Sequence, residues 1–186
     1  YIGLLHYPMR NRRGEVVTTS VTNLDLHDIA RAARSFGVEG FLVVHPSPSQ
    51  HELINHILDF WQEGFGGQYN ADRRDAFERV QLCHSLEEAK AAVAAQHPGP
   101  LYTVATTAHR YEGGIAHRAM RNRLKSDQGS YLLLFGTGFG MDEAFLKSCD
   151  MILEPIDAGG GYNHLSVRSA VSILLDRLLG EPWFEG

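Results

Sequence analysis

Residues 131–179 read YLLLFGTGFG MDEAFLKSCD MILEPIDAGG GYNHLSVRSA VSILLDRLL, and their order of apolar runs and glycine breaks decides the fold. Tyr131 to Phe135 is an apolar run ending at Gly136-Thr137-Gly138-Phe139-Gly140, the pattern of a buried strand breaking into a tight loop. A second strand, 151–155, ends at Glu154-Pro155-Ile156, and a second glycine-rich loop, Gly159 to Gly161, leads into a last helix. There Val167, Ala170, Val171, Leu174 and Leu178 fall on one face at helical spacing. Two strand ends and one helix start therefore come from a short piece of chain. In a parallel α/β sheet the carboxyl ends of strands are where ligands sit.

The same alternation runs through the upstream sequence. Residues 2–9 (IGLLHYPM) read as a first strand and 10–14 (RNRRG) as a basic turn. Asp25 is a candidate cap for a helix whose apolar face carries Leu26, Ile29, Ala30, Ala33 and Phe36; Arg31 and Arg34 lie off that face, and Gly37 stops the helix. There follow a strand at 38–45, a turn at Pro46-Ser47-Pro48, a helix at 49–62 and a flexible break at 64–67 (GFGG). After 69–74 come a short helix, a strand at 79–83 and a helix opened by the capping box Ser85-Leu86-Glu87-Glu88. A strand at 101–107 and a helix at about 114–125 complete the series. Strands alternating with helices predict an α/β fold with a mostly parallel sheet covered on both faces. With no internal repeat, low-complexity tract or long linker, residues 1–186 read as one domain.

The bulk composition narrows the function. A formal charge of −5 advertises no global basic field for nucleic acid, although a local arginine cluster can suffice. Cys83 and Cys149 are far apart and form no CxxC, so free thiols in a reducing compartment are expected. No apolar run reaches membrane-spanning length and no signal peptide is visible, which makes a soluble cytoplasmic protein the default. The sequence begins at Tyr1 rather than Met, which leaves a missing initiator Met or a longer N-terminus as an expectation.

Taken alone, Gly136 to Gly140 is a weak signal. Its spacing is GxGxG rather than GxGxxG, and no ribose-binding acid follows in a βαβ unit. Paired with Gly159 to Gly161 it reads as a cofactor site, since glycine lets main-chain N–H and C=O groups approach a flat ligand. The ten histidines match no zinc spacing; His51 and His56 lie on different sides of a helix. His164, beside Asn163 at a helix start, is either a ligand contact or a capping residue. Arg10, Arg12, Arg13, Arg31 and Arg34 read equally as surface charges, and Trp61 and Trp183 as packing residues. No GxSxG, P-loop or catalytic Cys–His pattern is present.

Three segments carry a family resemblance: 29–38 (IARAARSFGV), 134–141 (LFGTGFGM), and 153–156 (LEPI) followed by 162–167 (YNHLSV). In this order they resemble the SPOUT methyltransferases, which are trefoil-knotted, S-adenosylmethionine-dependent RNA methyltransferases. Three departures from the ribose-methylating branch stand out: Asp25 where that branch has Asn, His27 where it has Gly, and His164 at its motif Asn. An aspartate near the substrate is closer to the guanine-N1 branch.

The resemblance implies a C-terminal knot within about residues 101–180, a rare exception to unknotted topology. It implies S-adenosyl-L-methionine held by Thr106 and Thr107, by Phe135, Gly136, Thr137, Gly138 and Gly140, by Leu153, Pro155 and Ile156, and by Tyr162, Asn163, His164, Leu165 and Ser166. No metal is required. It further implies a homodimer with its active site between subunits, and Val171, Leu174 and Leu178 offer an apolar face for such a contact. The expected activity is methylation of a tRNA or rRNA at a base nitrogen or a ribose 2′-oxygen. Arg31, on the polar side of its helix, matches the family's motif arginine and would position or activate the RNA, with Asp25 accepting the nucleophile's proton. Two rivals remain: a non-catalytic S-adenosylmethionine- or RNA-binding module, and a dinucleotide-dependent oxidoreductase, which the glycine spacing disfavours.

Overall fold

A computed structural model of the chain describes residues 1–181; Trp183 lies outside the described residues. Strand β1 (Ile2–Leu5) is shorter than the sequence suggests, because Pro8 has no N–H to donate to a ladder and the chain turns away after His6. Met9 and Arg10 (β2, Met9–Arg10) instead pair antiparallel with β3 (Val16–Val17) in a separate hairpin. Helix α1 (Asn23–Ser35) follows.

Asp25 does not cap α1. Thr22 does: its Oγ1 accepts from the Asp25 N–H at 3.2 Å and donates to Asp25 Oδ2 at 2.6 Å. Asp25 stands at the third helical position and takes the Thr22 hydroxyl, so the true cap lies three residues before the carboxylate. Leu26, Ile29, Ala30 and Ala33 are buried on the expected face, and Gly37 takes φ +67° just beyond the helix.

Next come β4 (Phe41–Val44), α2 (Pro48–Gln62), α3 (Phe65–Tyr69), α4 (Ala71–Phe77) and β5 (Val80–Cys83). The expected flexible break at 64–67 is the start of α3, with Gly64 at its cap and 65–67 within it. Gly66 and Gly67 are buried, and a Cβ at Gly67 would sit 2.3 Å from the Trp61 carbonyl oxygen. Those glycines permit close packing against α2. Helix α5 (Leu86–Gln96) starts at the expected box, with Ser85 accepting from the Glu88 N–H. The chain ends with β6 (Leu101–Ala105), α6 (His117–Ser126), β7 (Ser130–Gly136), α7 (Glu143–Ser148), β8 (Met151–Ile152) and α8 (Val167–Leu179). Helix α7 is capped by Asp142, which accepts from the Ala144 N–H at 3.0 Å; the sequence reading has no helix there.

The main sheet has six strands, all parallel, in the order β5-β4-β1-β7-β6-β8. Alternate residues feed opposite faces. Tyr131, Leu133 and Phe135 join Leu4, Phe41 and Val43 beneath α1 and α8, while Leu132 and Leu134 join Leu5, Leu42 and Val44 on the face that includes α5 residues Ala89 and Val93. Val171, Leu174, Leu175 and Leu178 of α8 pack into the first of these cores, each burial contributing about 2 kcal/mol. The apolar face expected to offer a dimer contact is therefore this chain's own core. β1 and β7 are neighbours from which the chain winds in opposite directions, and such a switch point opens a crevice at the carboxyl edge.

Candidate active site

Three main-chain loops and the start of α1 enclose a cavity of about 800 Å³ at that crevice. The first loop leaves β7. Thr137 is fixed across the switch point: its Oγ1 donates to the Leu5 carbonyl at 3.2 Å and its N–H points at the Met9 sulfur at 3.2 Å. Gly140 N–H closes the turn on the Thr137 carbonyl at 3.0 Å. Gly138 takes φ +60°, which side chains other than glycine adopt at a cost, and a Cβ there would meet Thr19 Cγ2 at 3.1 Å.

The second loop leaves β6, where Thr106 donates to the Leu134 carbonyl through both N–H (3.0 Å) and Oγ1 (2.9 Å). The third leaves β8. Leu153 N–H bonds the Ala105 carbonyl and Glu154 N–H the Ile115 carbonyl, at 2.8 and 2.9 Å. Asn163 Nδ2 donates to the Ala108 carbonyl at 2.8 Å, tying the third loop to the second.

Two neutral histidines brace the walls. His117 accepts from Arg177 at Nδ1 (3.0 Å), so its Nε2–H donates to the Glu154 carbonyl at 2.8 Å. His45 accepts from the Ser47 N–H at Nδ1 (3.0 Å), so its Nε2–H donates to the Thr19 carbonyl at 2.9 Å. Burial lowers the pKa of both rings, which disfavours their protonated forms, and the hydrogen bonds select the tautomer. Behind Thr19, His6 is fully buried with neither ring nitrogen hydrogen-bonded; burial, with the His45 ring 5.1 Å away adding to it, pushes its pKa down to about 4.

Most of the residues expected at a cofactor site meet here. Thr106, Thr107, Phe135, Gly136, Thr137, Gly138, Gly140, Ile156, Asn163, His164, Leu165 and Ser166 all line the cavity. Leu153 and Pro155 are buried behind the wall, where Leu153 bridges Ile115, and Tyr162 is exposed with its ring edge-on to His164 at 5.3 Å. His164 does not cap α8; Ser166 does. Glu154, within the expected 153–156 loop, lines the cavity too, as do Thr19, Ser20 and Tyr111, which the sequence does not mark. The cap residue Thr22 was the available signal for Thr19 and Ser20, since it fixes where α1 begins.

The two residues given catalytic roles are separated. Asp25 lines the cavity, but its carboxylate is engaged on both oxygens, by Thr22 and by Arg168 Nη1 at 2.9 Å. Arg168 also reaches Asp28 at 3.3 Å, so it clamps the start of α8 to the start of α1. Arg31 is exposed and lies outside the cavity lining.

S-adenosylmethionine fits this donor set. The volume falls in the range of ligand pockets, roughly 300–1,000 Å³. Gly136 and Gly138 leave the wall bare of side chain where a Cβ would crowd Met141 or Thr19, and Phe135, Ile156 and Leu174 supply apolar floor. A second cavity, about 400 Å³, lies at the amino end of the sheet between Tyr1, Val38 and Leu178 and has no such convergence of loops. Among the described residues no helix is long and apolar enough to cross a membrane.

Comparison with known proteins agrees with this geometry. Residues 1–180 match the model of a family described as SAM-dependent RNA methyltransferase. An uncharacterized protein of Aquifex aeolicus is 35% identical over 178 residues, covering 96% of this chain and 87% of the relative. A tRNA (guanine-N(1)-)-methyltransferase of Oleidesulfovibrio alaskensis is 39% identical over 181 residues, covering 97% of this chain but 42% of the relative, so this chain spans less than half that protein. In fold, the chain is similar to the SpoU methyltransferase AviRb of Streptomyces viridochromogenes, solved in complex with AdoMet, with a TM-score of 0.57 at 17% identity over 96% of this chain and 56% of that one.

Proposed function

The chain belongs to the SAM-dependent RNA methyltransferase family, and from that premise we propose that it methylates a tRNA or rRNA, at a base nitrogen or a ribose 2′-oxygen, in the cytoplasm. The observation that carries this reading is the cavity itself, built from main-chain loops at the β1/β7 switch point with Gly138 at φ +60° on its wall. When bound, the cofactor supplies an electrophilic methyl group that needs no metal. Main-chain groups of 135–140, 154–156 and 163–166 would hold it, between the loops around Thr19 and Asn163. The name of the Oleidesulfovibrio relative supports tRNA as the first substrate to try, although it belongs to a protein more than twice this length.

The domain reading extends to a knot. Glu154 and Leu153 are pinned between Ile115 and Ala105, and the segment after them reaches the loop at Ala108 before α8 turns back over α1 and α6, which supports a threaded C-terminal segment. Arg31 stands outside its own chain's cavity, so the catalytic role the resemblance gives it needs a second copy to bring it to a cavity. That is the present support for a homodimer. Light scattering at micromolar concentration should give twice 20.7 kDa, and a monomer that still methylates RNA would remove both dimer and role.

The engagement of Asp25 by Arg168 favours a second reading, a non-catalytic cofactor-binding module lacking a free proton acceptor. The two separate in one experiment. Methyl-labelled S-adenosylmethionine is incubated with RNA from a strain lacking the gene, and the nucleosides are resolved by mass spectrometry. A labelled nucleoside supports transfer; cofactor binding without label in any RNA supports the module and sinks the enzyme.

A further inference from the structure

We propose that the β2–β3 hairpin is the arm that grips the phosphate backbone of the RNA, with Arg12 and Arg13 as its phosphate contacts; this rests on the reading that RNA is the substrate. The hairpin pairs outside the main sheet; its stem is anchored by Met9, buried with Leu5 and Leu134, while its turn stands in solvent. It is also attached to the cofactor loop. Arg10 N–H bonds the Gly140 carbonyl at 2.8 Å, Phe139 N–H bonds the Arg10 carbonyl at 3.3 Å, and Asp142 N–H bonds the Pro8 carbonyl at 3.0 Å. The Arg10 guanidinium adds an ion pair to Asp142 at 3.2 Å. The arm and the wall of the cavity are thus one hydrogen-bonded body.

The tip is rigid and presents bare charge. Asn11 Oδ1 accepts from the N–H groups of Arg13 (2.8 Å) and Glu15 (3.0 Å), and Gly14 closes the turn at φ +79°. The one carboxylate of the turn, Glu15, is taken by Asn11 Nδ2 at 2.7 Å. Arg12 and Arg13 are exposed, and among the described residues neither side chain has a hydrogen bond or an ion pair. Arg34, Arg74, Arg110, Arg123 and Arg168 each have a carboxylate partner. On a chain of charge −5, two unpaired guanidinia on a preorganised turn are a local anion site, and guanidinium forks match phosphate oxygens. Phe139, 66% exposed on the loop bonded to Arg10, offers a ring face to an unpaired base beside the cavity. Because the arm is fastened to the cofactor loop, each ligand steadies the body the other uses, so RNA and cofactor should bind with positive, reciprocal coupling.

The test is R12A/R13A, with R74A/K125A as a control of equal charge change elsewhere and R12K/R13K as the charge-conserving variant. Bulk tRNA binding is measured across a salt series, with cofactor binding by calorimetry and KM for tRNA against kcat. In R12A/R13A the slope of log K on log salt should fall by about 1.5, from two phosphate contacts at about 0.7–0.9 each. KM for tRNA should rise about tenfold or more, with kcat and cofactor affinity near parental, while R12K/R13K keeps the slope. Parental slope and KM in R12A/R13A would overturn the arm and leave the RNA reading standing. An equal loss in R74A/K125A would assign the effect to overall charge, and conversion of a dimer to a monomer by R12A/R13A would make the hairpin a subunit contact; either overturns the proposal. If the parent chain neither binds nor methylates RNA, the arm falls together with the RNA reading.

Discussion

Replacing Arg168 by alanine should loosen the cavity from the α8 side. Its guanidinium bonds Asp25, whose side chain is 9% exposed, and reaches Asp28 on the surface. Breaking a fully buried pair by removing one partner costs about 3–5 kcal/mol. Here Arg168 is 32% exposed and Thr22 still donates to Asp25, so the expected loss is smaller, about 2 kcal/mol. For a chain of this size that corresponds to a fall in Tm of about 4–8 °C. The assay is urea unfolding of R168A, D25N and the double variant, which isolates a pair coupling of at least about 1 kcal/mol. The same variants separate a clamp from a proton acceptor. R168A leaves the Asp25 carboxylate in place and freed of its partner, so an acceptor would keep its rate at saturating cofactor, whereas D25N would lose rate by about 10². If Asp25 is only a clamp, both variants lose stability and cofactor affinity and neither loses rate at saturation. An R168A midpoint equal to the parent's would refute the energetic argument, because the ion pair would then contribute nothing.

Gly138→Val adds a branched Cβ at φ +60° against Thr19 Cγ2; calorimetry should show S-adenosylmethionine affinity reduced at least tenfold, and unchanged affinity would put the ligand elsewhere. Arg31→Ala removes an exposed side chain outside the cavity, so cofactor affinity should persist while methyl transfer falls on the order of 10²-fold; a parental rate makes Arg31 a surface charge. The folded pKa of His6, about 4, lies below the ordinary value near 6.5, so its contribution is complete above about pH 6.5 and is lost as pH falls toward 4, by up to about 3 kcal/mol. His6→Leu, which removes the buried ring, should flatten the decline of Tm between pH 6.5 and 4.5; an unaltered slope would assign acid sensitivity to other groups.

Local patterns that bury themselves were legible. The run at 131–135, the box at Ser85 and Glu88 and the faces of α1 and α8 each carry their period and their caps within a few residues, and each folds as that pattern dictates. The glycine loop after β7 was legible because only a strand end facing a ligand or a turn tolerates that composition. Where the reading failed, packing decided, in one place close by and in another far along the chain. The GFGG stretch is a helical turn because Phe60 and Trp61 press against it, and residues 6–9 leave the sheet for a hairpin bound to Gly140, more than 120 residues away.

The sequence by itself therefore determined the class of fold, the family and the loops that meet at the cavity, since hydrophobic period, caps and glycine breaks are properties of short stretches. Only the tertiary structure decided which charges are free. Asp25 and Arg31, six residues apart on one helix, part company because Arg168 arrives from the other end of the chain to occupy the first while the second stays exposed. Among the described residues Arg10 is paired while Arg12 and Arg13 are not, because Asp142 stands beside the stem of the hairpin and the carboxylate at its tip, Glu15, is held by Asn11. A charge's role depends on its partner, and partners here come from segments that only the folded sheet brings together.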